Sequence, residues 1–149
     1  MADSITTLTK QLFEAHGYKV GKTEHWNAFA HKKFDLFGFA DCVAIKTNSP
    51  ILAIQITTTD NAGARKVKIE GIEEAAVWTT FGRVVVCTWR KLKVPYLTPT
   101  GKTRVGPKLT PRVEIYYPGN PWVIEQYWED YWLSKLVDAS PLLMSESED

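Results

Sequence analysis

Two apolar runs joined by a short polar turn constrain this chain more than anything else in it. The first reads Phe39-Ala40-Asp41-Cys42-Val43-Ala44-Ile45, and the second Ile51-Leu52-Ala53-Ile54-Gln55-Ile56-Thr57-Thr58. Between them, Lys46-Thr47-Asn48-Ser49-Pro50 has the length and residue types of a hairpin loop. The pattern predicts two strands paired through that loop. Strand side chains alternate faces, so Gln55 and Thr57 share one face while Ile54 and Ile56 take the other. Asp41 has the parity of Val43 and Ile45. A carboxylate in an apolar strand is costly to bury unless a metal ion or a hydrogen-bonded partner compensates its charge. Such a conflict between polarity and burial is where a functional site is expected.

The rest of the chain supplies a framework for that hairpin. Ser4–His16 reads as a helix capped by Ser4, with Ile5, Leu8, Leu12 and Ala15 at helical spacing and Gly17 just past its end. Tyr18–Trp26 is predicted as a strand, and Asn27–Lys33 as a loop with His25 and His31 at its margins. After the Gln55 strand, Thr58-Thr59-Asp60-Asn61 offers caps for a helix from about Ala62 to Thr79. Gly82–Trp89 is continuously apolar, as a central strand covered on both faces would be. The order strand, hairpin, helix, strand implies a crossover, which makes this strand parallel to the Gln55 strand in a mixed sheet. Tyr96–Pro111 reads as a mobile basic loop, followed by a strand over Arg112–Tyr117. Pro118-Gly119-Asn120-Pro121 is a break. Beyond it Trp122 to Leu136 reads as an aromatic helix that either closes the core or presents a partner surface, such as a homodimer contact.

Composition limits the function classes. A chain of 149 residues suits one domain, here residues 1–140, with 141–149 as an acidic tail expected to be disordered. Net charge is +1, so any nucleic-acid contact has to use a local patch. Cys42 and Cys87 both fall in apolar strands and have no metal-ligand spacing, which suits buried free thiols in a reducing cytoplasm. The N-terminus lacks the basic and apolar regions of a signal peptide, and no apolar run approaches the ~20 residues of a membrane span. A cytoplasmic protein with no membrane contact is the expectation.

An Asp in a strand, a hairpin, and a hydrophobic strand ending in a polar-x-polar pair resemble the PD-(D/E)xK nuclease superfamily. Within it, the Holliday-junction-resolvase-like and phage-encoded branch is the most similar. Gly38-Phe39-Ala40-Asp41 occupies the Asp segment, and Gln55-Ile56-Thr57 stands where the family has acid-x-Lys. Gln therefore replaces the acid and Thr the Lys. The resemblance implies an α/β, restriction-endonuclease-like core, a mixed central sheet flanked by helices, with the aromatic C-terminal helix as an addition. It implies a divalent-metal-dependent DNA endonuclease, Mg²⁺ or Mn²⁺ serving recombination, repair or phage DNA processing, in a bacterial host if phage-encoded.

On that resemblance Asp41 and Gln55 hold the metal, Glu14 of the first helix joins them, and Thr57 contributes a hydrogen bond. Lys66 or Lys68 takes the place of the missing Lys. Asp35 has the parity of Asp41, but six extended residues span ~20 Å, too far for one ion. A bend at Gly38 would shorten that distance, so Asp35 is either an acid of the metal site or a turn residue. The basic residues Lys32, Lys33, Lys68, Arg90, Lys102, Arg104 and Lys108 are candidates for DNA contact, against the alternative of a solvated surface. A second function class is a catalytically inactive nuclease-fold module that binds nucleic acid or a protein partner.

Overall fold

The computed structural model describes residues 4–138, apart from the side chain of Lys33. The acidic tail at 141–149 lies outside the described residues. The architecture is α/β, a mixed six-stranded sheet flanked by helices, with a small two-stranded sheet beside it. In chain order the elements are α1 (Ile5–Glu14), β1 (Lys19–Lys22), β2 (His25–Asn27), β3 (Lys32–Phe34), β4 (Cys42–Ile45) and β5 (Ile51–Thr58). Then come α2 (Thr59–Glu70), α3 (Glu73–Trp78), β6 (Gly82–Leu97), β7 (Thr103–Ile115), β8 (Val123–Ile124) and α4 (Gln126–Val137). The large sheet runs β1-β4-β5-β6-β7-β8. Its β5–β6 pair is parallel, from Ile51↔Gly82 to Thr58↔Trp89, as the crossover pattern predicts.

Alternation along the strands divides the core between the two faces of the sheet. Leu52, Ile54 and Ile56 join Cys87 and Val113 on one face, under Leu12 and Phe13 of α1. Trp128, Tyr131 and Trp132 of α4 pack on the same cluster. Ala53, Val84 and Val86 face the other way, against Ile69 of α2 and Ala75 and Trp78 of α3. Two polar contacts tie α1 and α4 to the first face. The Trp89 indole N–H donates to Thr9 Oγ1 at 2.8 Å, and the Trp132 indole N–H to the Leu109 carbonyl at 3.1 Å. The aromatic helix thus closes the core of its own chain, leaving Tyr127 as its exposed ring. Ser4 caps α1 by accepting from the Thr7 N–H. Both cysteines are free and buried, and burial pushes each thiol up to about 12, which makes them inert.

Several expectations are corrected. The strand expected over Tyr18–Trp26 is two strands in different sheets, because Thr23 and Glu24 turn to donate their N–H groups to the Asp41 carbonyl. The expected loop over Asn27–Lys33 is the tip and return strand of a hairpin, paired His25↔Phe34 to Asn27↔Lys32. The single helix expected over 62–79 is α2 and α3. Gly71 closes the first, Ile72 is extended, and Glu73 and Glu74 begin the second, where acids suit a helix N-terminus.

The basic loop expected over Tyr96–Pro111 is instead a long hairpin, β6 and β7 staying paired from Val85↔Ile115 to Leu97↔Thr103. Pro99 and Gly101 form its turn, whereas Gly106, Pro107 and Pro111, also read as loop signals, lie at paired positions of a two-stranded ribbon, where edge strands tolerate proline. Trp122 lies before the short edge strand β8 rather than in a helix, and α4 begins at Gln126. Among the described residues no helix is long and apolar enough to cross a membrane.

Candidate metal centre

The site forms where three chain segments meet at the β4 edge of the β4–β5 hairpin. Asp41 precedes β4, and its N–H donates to the Ile54 carbonyl at 2.9 Å. Its carbonyl accepts from Thr23 N–H at 2.9 Å and from Glu24 N–H at 3.3 Å. Its own backbone thus locks the β1–β2 connection to the end of the hairpin. The carboxylate stays inside, where Asp41 is 8 % exposed. There Oδ2 accepts from Gln55 Nε2 and from the Ile56 N–H, each at 2.7 Å.

The β2–β3 hairpin brings in two more acids. Its last described pair is His25↔Phe34, so the residues flanking that pair, Glu24 and Asp35, come side by side. The bend at Gly38 does the rest. Phe37 and Gly38 take positive φ values of 53° and 80°, Leu36 bridges Ala40, and the chain doubles back between Asp35 and Asp41. One carboxylate oxygen from each of Glu24, Asp35 and Asp41 consequently lies within 4.8 Å of the other two.

This arrangement perturbs Asp41. Its pKa is pushed from 3.8 to about 7, first by burial, and then by a side-chain hydrogen bond with Asp35 and the negative charges of Asp35 and Glu24. The Ile56 N–H opposes the shift. Gln55 is 1 % exposed, and its Oε1 is buried with no hydrogen-bond partner. Three clustered carboxylates form a hard, all-oxygen donor set, and the Gln55 amide turns its nitrogen toward Asp41. Such a set suits Mg²⁺ or Mn²⁺ rather than zinc or copper.

Further along the same sheet face, cross-strand register places Gln55, Val86 and Glu114 in one row and Thr57, Thr88 and Arg112 in the next. Glu114 is 5 % exposed, and Lys66 of α2 reaches it at 3.0 Å. Thr57 and Thr88 are each 4 % exposed, and Thr88 Oγ1 is another buried atom without a partner.

The residues singled out from sequence are distributed unevenly over this geometry. Gln55 and Thr57 share a face, as alternation assigned them, Asp41 lies beside Gln55 on that face, and Asp35 joins Asp41 through the Gly38 bend. Glu14 does not join them. It lies on α1, whose Leu12 and Phe13 cover the opposite face of the sheet, and it stands 4.0 Å from Lys10. Lys66 lies on the right face but is held by Glu114, and Lys68 is exposed on α2.

Of the basic candidates, Lys32 lies over the Phe34 ring, and Lys33 belongs to β3, its side chain outside the described residues. Arg90 pairs with Glu129 of α4. Arg104 and Lys108 belong to the β6–β7 ribbon, and Lys102 to its turn. Sequence reasoning missed Glu24 and Glu114. The available signal for Glu24 was its placement just before His25-Trp26-Asn27, mirrored by Asp35 just after Lys32-Lys33-Phe34. For Glu114 it was an acid at the alternate position of an apolar strand, the same signal that marked Asp41.

No protein-family model, curated protein or solved structure matches this chain.

Proposed function

We propose that this chain is a divalent-metal-dependent DNA endonuclease with a restriction-endonuclease-like core. The observation that carries the reading is the convergence of one carboxylate oxygen each from Glu24, Asp35 and Asp41 within 4.8 Å. Asp41 is shifted upward first by its burial, then by its hydrogen bond with Asp35 and the charges of Asp35 and Glu24. A hard cation offsets both the burial and those charges.

Glu24, Asp35 and Asp41 are the ligands in this reading, and Gln55, expected from sequence as a further ligand, instead donates its Nε2–H to Asp41 Oδ2. Glu24 fills the position that the family resemblance gave to Glu14. A bound Mg²⁺ or Mn²⁺ ion supplies an activated water and neutralises charge on a phosphoryl oxygen. Ile56 N–H and Gln55 Nε2 orient the Asp41 carboxylate. Lys66 pairs with Glu114 at 3.0 Å, which compensates that carboxylate on the wall of the site. The hydroxyls of Thr57 and Thr88 offer hydrogen bonds on the same face.

The test is cleavage of labelled branched and linear DNA in Mg²⁺, Mn²⁺ or EDTA, beside Asp41→Asn and Asp35→Asn. Cutting that requires metal and disappears in Asp41→Asn is expected. Direct titration of Mn²⁺ by calorimetry provides a second readout, and wild-type protein that takes up no Mn²⁺ at pH 8 overturns the assignment. One observation favours a second reading. Gln55 presents its nitrogen, not its oxygen, to Asp41, and Thr57 carries no charge. DNA binding without cutting under either metal would identify a catalytically silent module of the same fold.

A further inference from the structure

Beyond Trp89 the β6–β7 hairpin leaves the sheet. The parallel partner β5 ends at Thr58↔Trp89, whereas β6 and β7 remain paired out to Leu97↔Thr103. The result is a two-stranded ribbon of about eight residue pairs, some 25 Å long. From Arg90 to Val113 the chain contains no Asp or Glu. Among the described residues, Lys91, Lys93, Lys102, Arg104, Lys108 and Arg112 form no ion pair.

These cations divide by face. Residues directly opposed across an antiparallel pair share a face, and alternate residues on one strand do too. Arg104, Lys108 and Arg112 are opposed by Tyr96, Leu92 and Thr88. They therefore share the face that, further along β7, carries Glu114 and, across the sheet, Gln55. Lys91 and Lys93 point to the opposite face, opposed by Leu109 and Pro107. The three cations recur every four residues, about 13 Å apart along the strand. Tyr96 is interleaved with them, the Lys108 ammonium lying 4.1 Å from its ring centroid.

We propose that the β6–β7 ribbon docks into the major groove of double-stranded DNA, with Arg104, Lys108 and Arg112 on the docking face. A uniform row of unpaired cations matches a phosphate backbone in charge. A two-stranded ribbon fits the major groove of B-form DNA, about 12 Å wide. The deep, narrow major groove of A-form RNA does not admit it. The right-handed coil of a two-stranded ribbon also lets the row of cations follow a winding backbone. The inference deepens the nuclease reading by naming duplex DNA as its substrate and the arm that holds it. Duplex bound along this face runs toward the sheet face that bears Gln55 and Asp41.

The experiment is fluorescence anisotropy of a labelled 24-base-pair DNA duplex in EDTA, over a range of salt concentrations. Each lost phosphate contact lowers the slope of log K against log salt by about 0.9. Arg104→Gln/Lys108→Gln/Arg112→Gln is expected to lower the slope by 2 to 3 and to weaken binding roughly a hundredfold or more at 0.1 M salt. Lys91→Gln/Lys93→Gln is expected to change the slope by less than about half as much. Arg112 sits where β7 still flanks the sheet, so Arg104→Gln/Lys108→Gln, both on the ribbon beyond the end of β5, serves as a second variant with an expected drop of about 1.8.

Equal slope losses for the two faces, an unchanged slope in both docking-face variants, or wild-type protein that binds no duplex would each overturn the proposal. Competition by duplex RNA as effective as by duplex DNA would overturn the major-groove assignment. Because binding is measured without metal, failure here leaves the carboxylate centre untouched. That centre is read separately, from Mn²⁺ uptake by wild type and Asp41→Asn.

Discussion

Asp41→Asn should make this protein more stable at neutral and alkaline pH, and the size of the gain follows from the burial of the carboxylate. In the folded chain the Asp41 pKa is raised from 3.8 to about 7 by burial, by the hydrogen bond with Asp35 and by the charges of Asp35 and Glu24. The folded state therefore holds this proton more tightly than the unfolded state. Stability is unaffected by the group below about pH 4, where both states are protonated. It falls as pH rises from about 4 to 7, and the loss is complete above pH 7. Three pKa units correspond to about 4 kcal/mol, a large share of the 5–15 kcal/mol typical of a small domain.

Asn has the same shape and keeps an oxygen to accept from Gln55 Nε2 and Ile56 N–H, so the variant loses the charge but not the contacts. The assay is urea unfolding in EDTA at pH 4.5, 6, 7 and 8.5. Wild type should lose stability relative to Asp41→Asn across that range, reaching a deficit of several kcal/mol at pH 8.5. Millimolar Mg²⁺ at pH 8.5 should return part of it to wild type and none to the variant. Parallel pH profiles for the two proteins in EDTA would refute the burial argument, because they would show Asp41 titrating alike in folded and unfolded chains.

Two further substitutions test the framework around the site. In Gly82→Ala the new Cβ would run into the Ile51 carbonyl and approach Trp78 Nε1 to 2.8 Å, just where the parallel pairing begins and where that indole donates to the same carbonyl. A loss of about 1–3 kcal/mol by urea unfolding is expected, and an unchanged midpoint would show that this start of the strand can shift at no cost. Lys66→Met leaves the buried Glu114 carboxylate unpaired and should cost about 2 kcal/mol, somewhat less than a fully buried pair because Lys66 is partly exposed. Adding Glu114→Gln should recover most of that loss, and additive losses in the double-mutant cycle would mean that the two side chains do not interact.

What could be read from the sequence was what local periodicity controls. The period-two alternation of Ile51–Thr58 separated Gln55 and Thr57 from Ile54 and Ile56, and the structure keeps that division. The crossover from β5 to β6 follows from strand order and length, and the capped α1 from Ser4 and the spacing of its apolar residues. A buried Asp in an apolar run marked the site itself, because the cost of burying charge does not depend on knowing the fold.

Tertiary structure decided which residues accompany Asp41. Glu24 and Asp35 reach it through a hairpin register and a left-handed bend at Phe37 and Gly38, and neither leaves a periodic signal. Glu14 is removed because a helix can cover either face of a sheet, and only the packing of Leu12 and Phe13 selects the face away from Asp41. The same limit explains the β6–β7 ribbon. Its prolines, glycines and cations look like a loop when read one at a time, whereas the hydrogen bonds that make it a ribbon come from a partner strand across a five-residue turn. Local sequence therefore specified the strands and their polar faces. Long-range pairing, which local propensity does not encode, assembled the carboxylates and gave the basic arm its two faces.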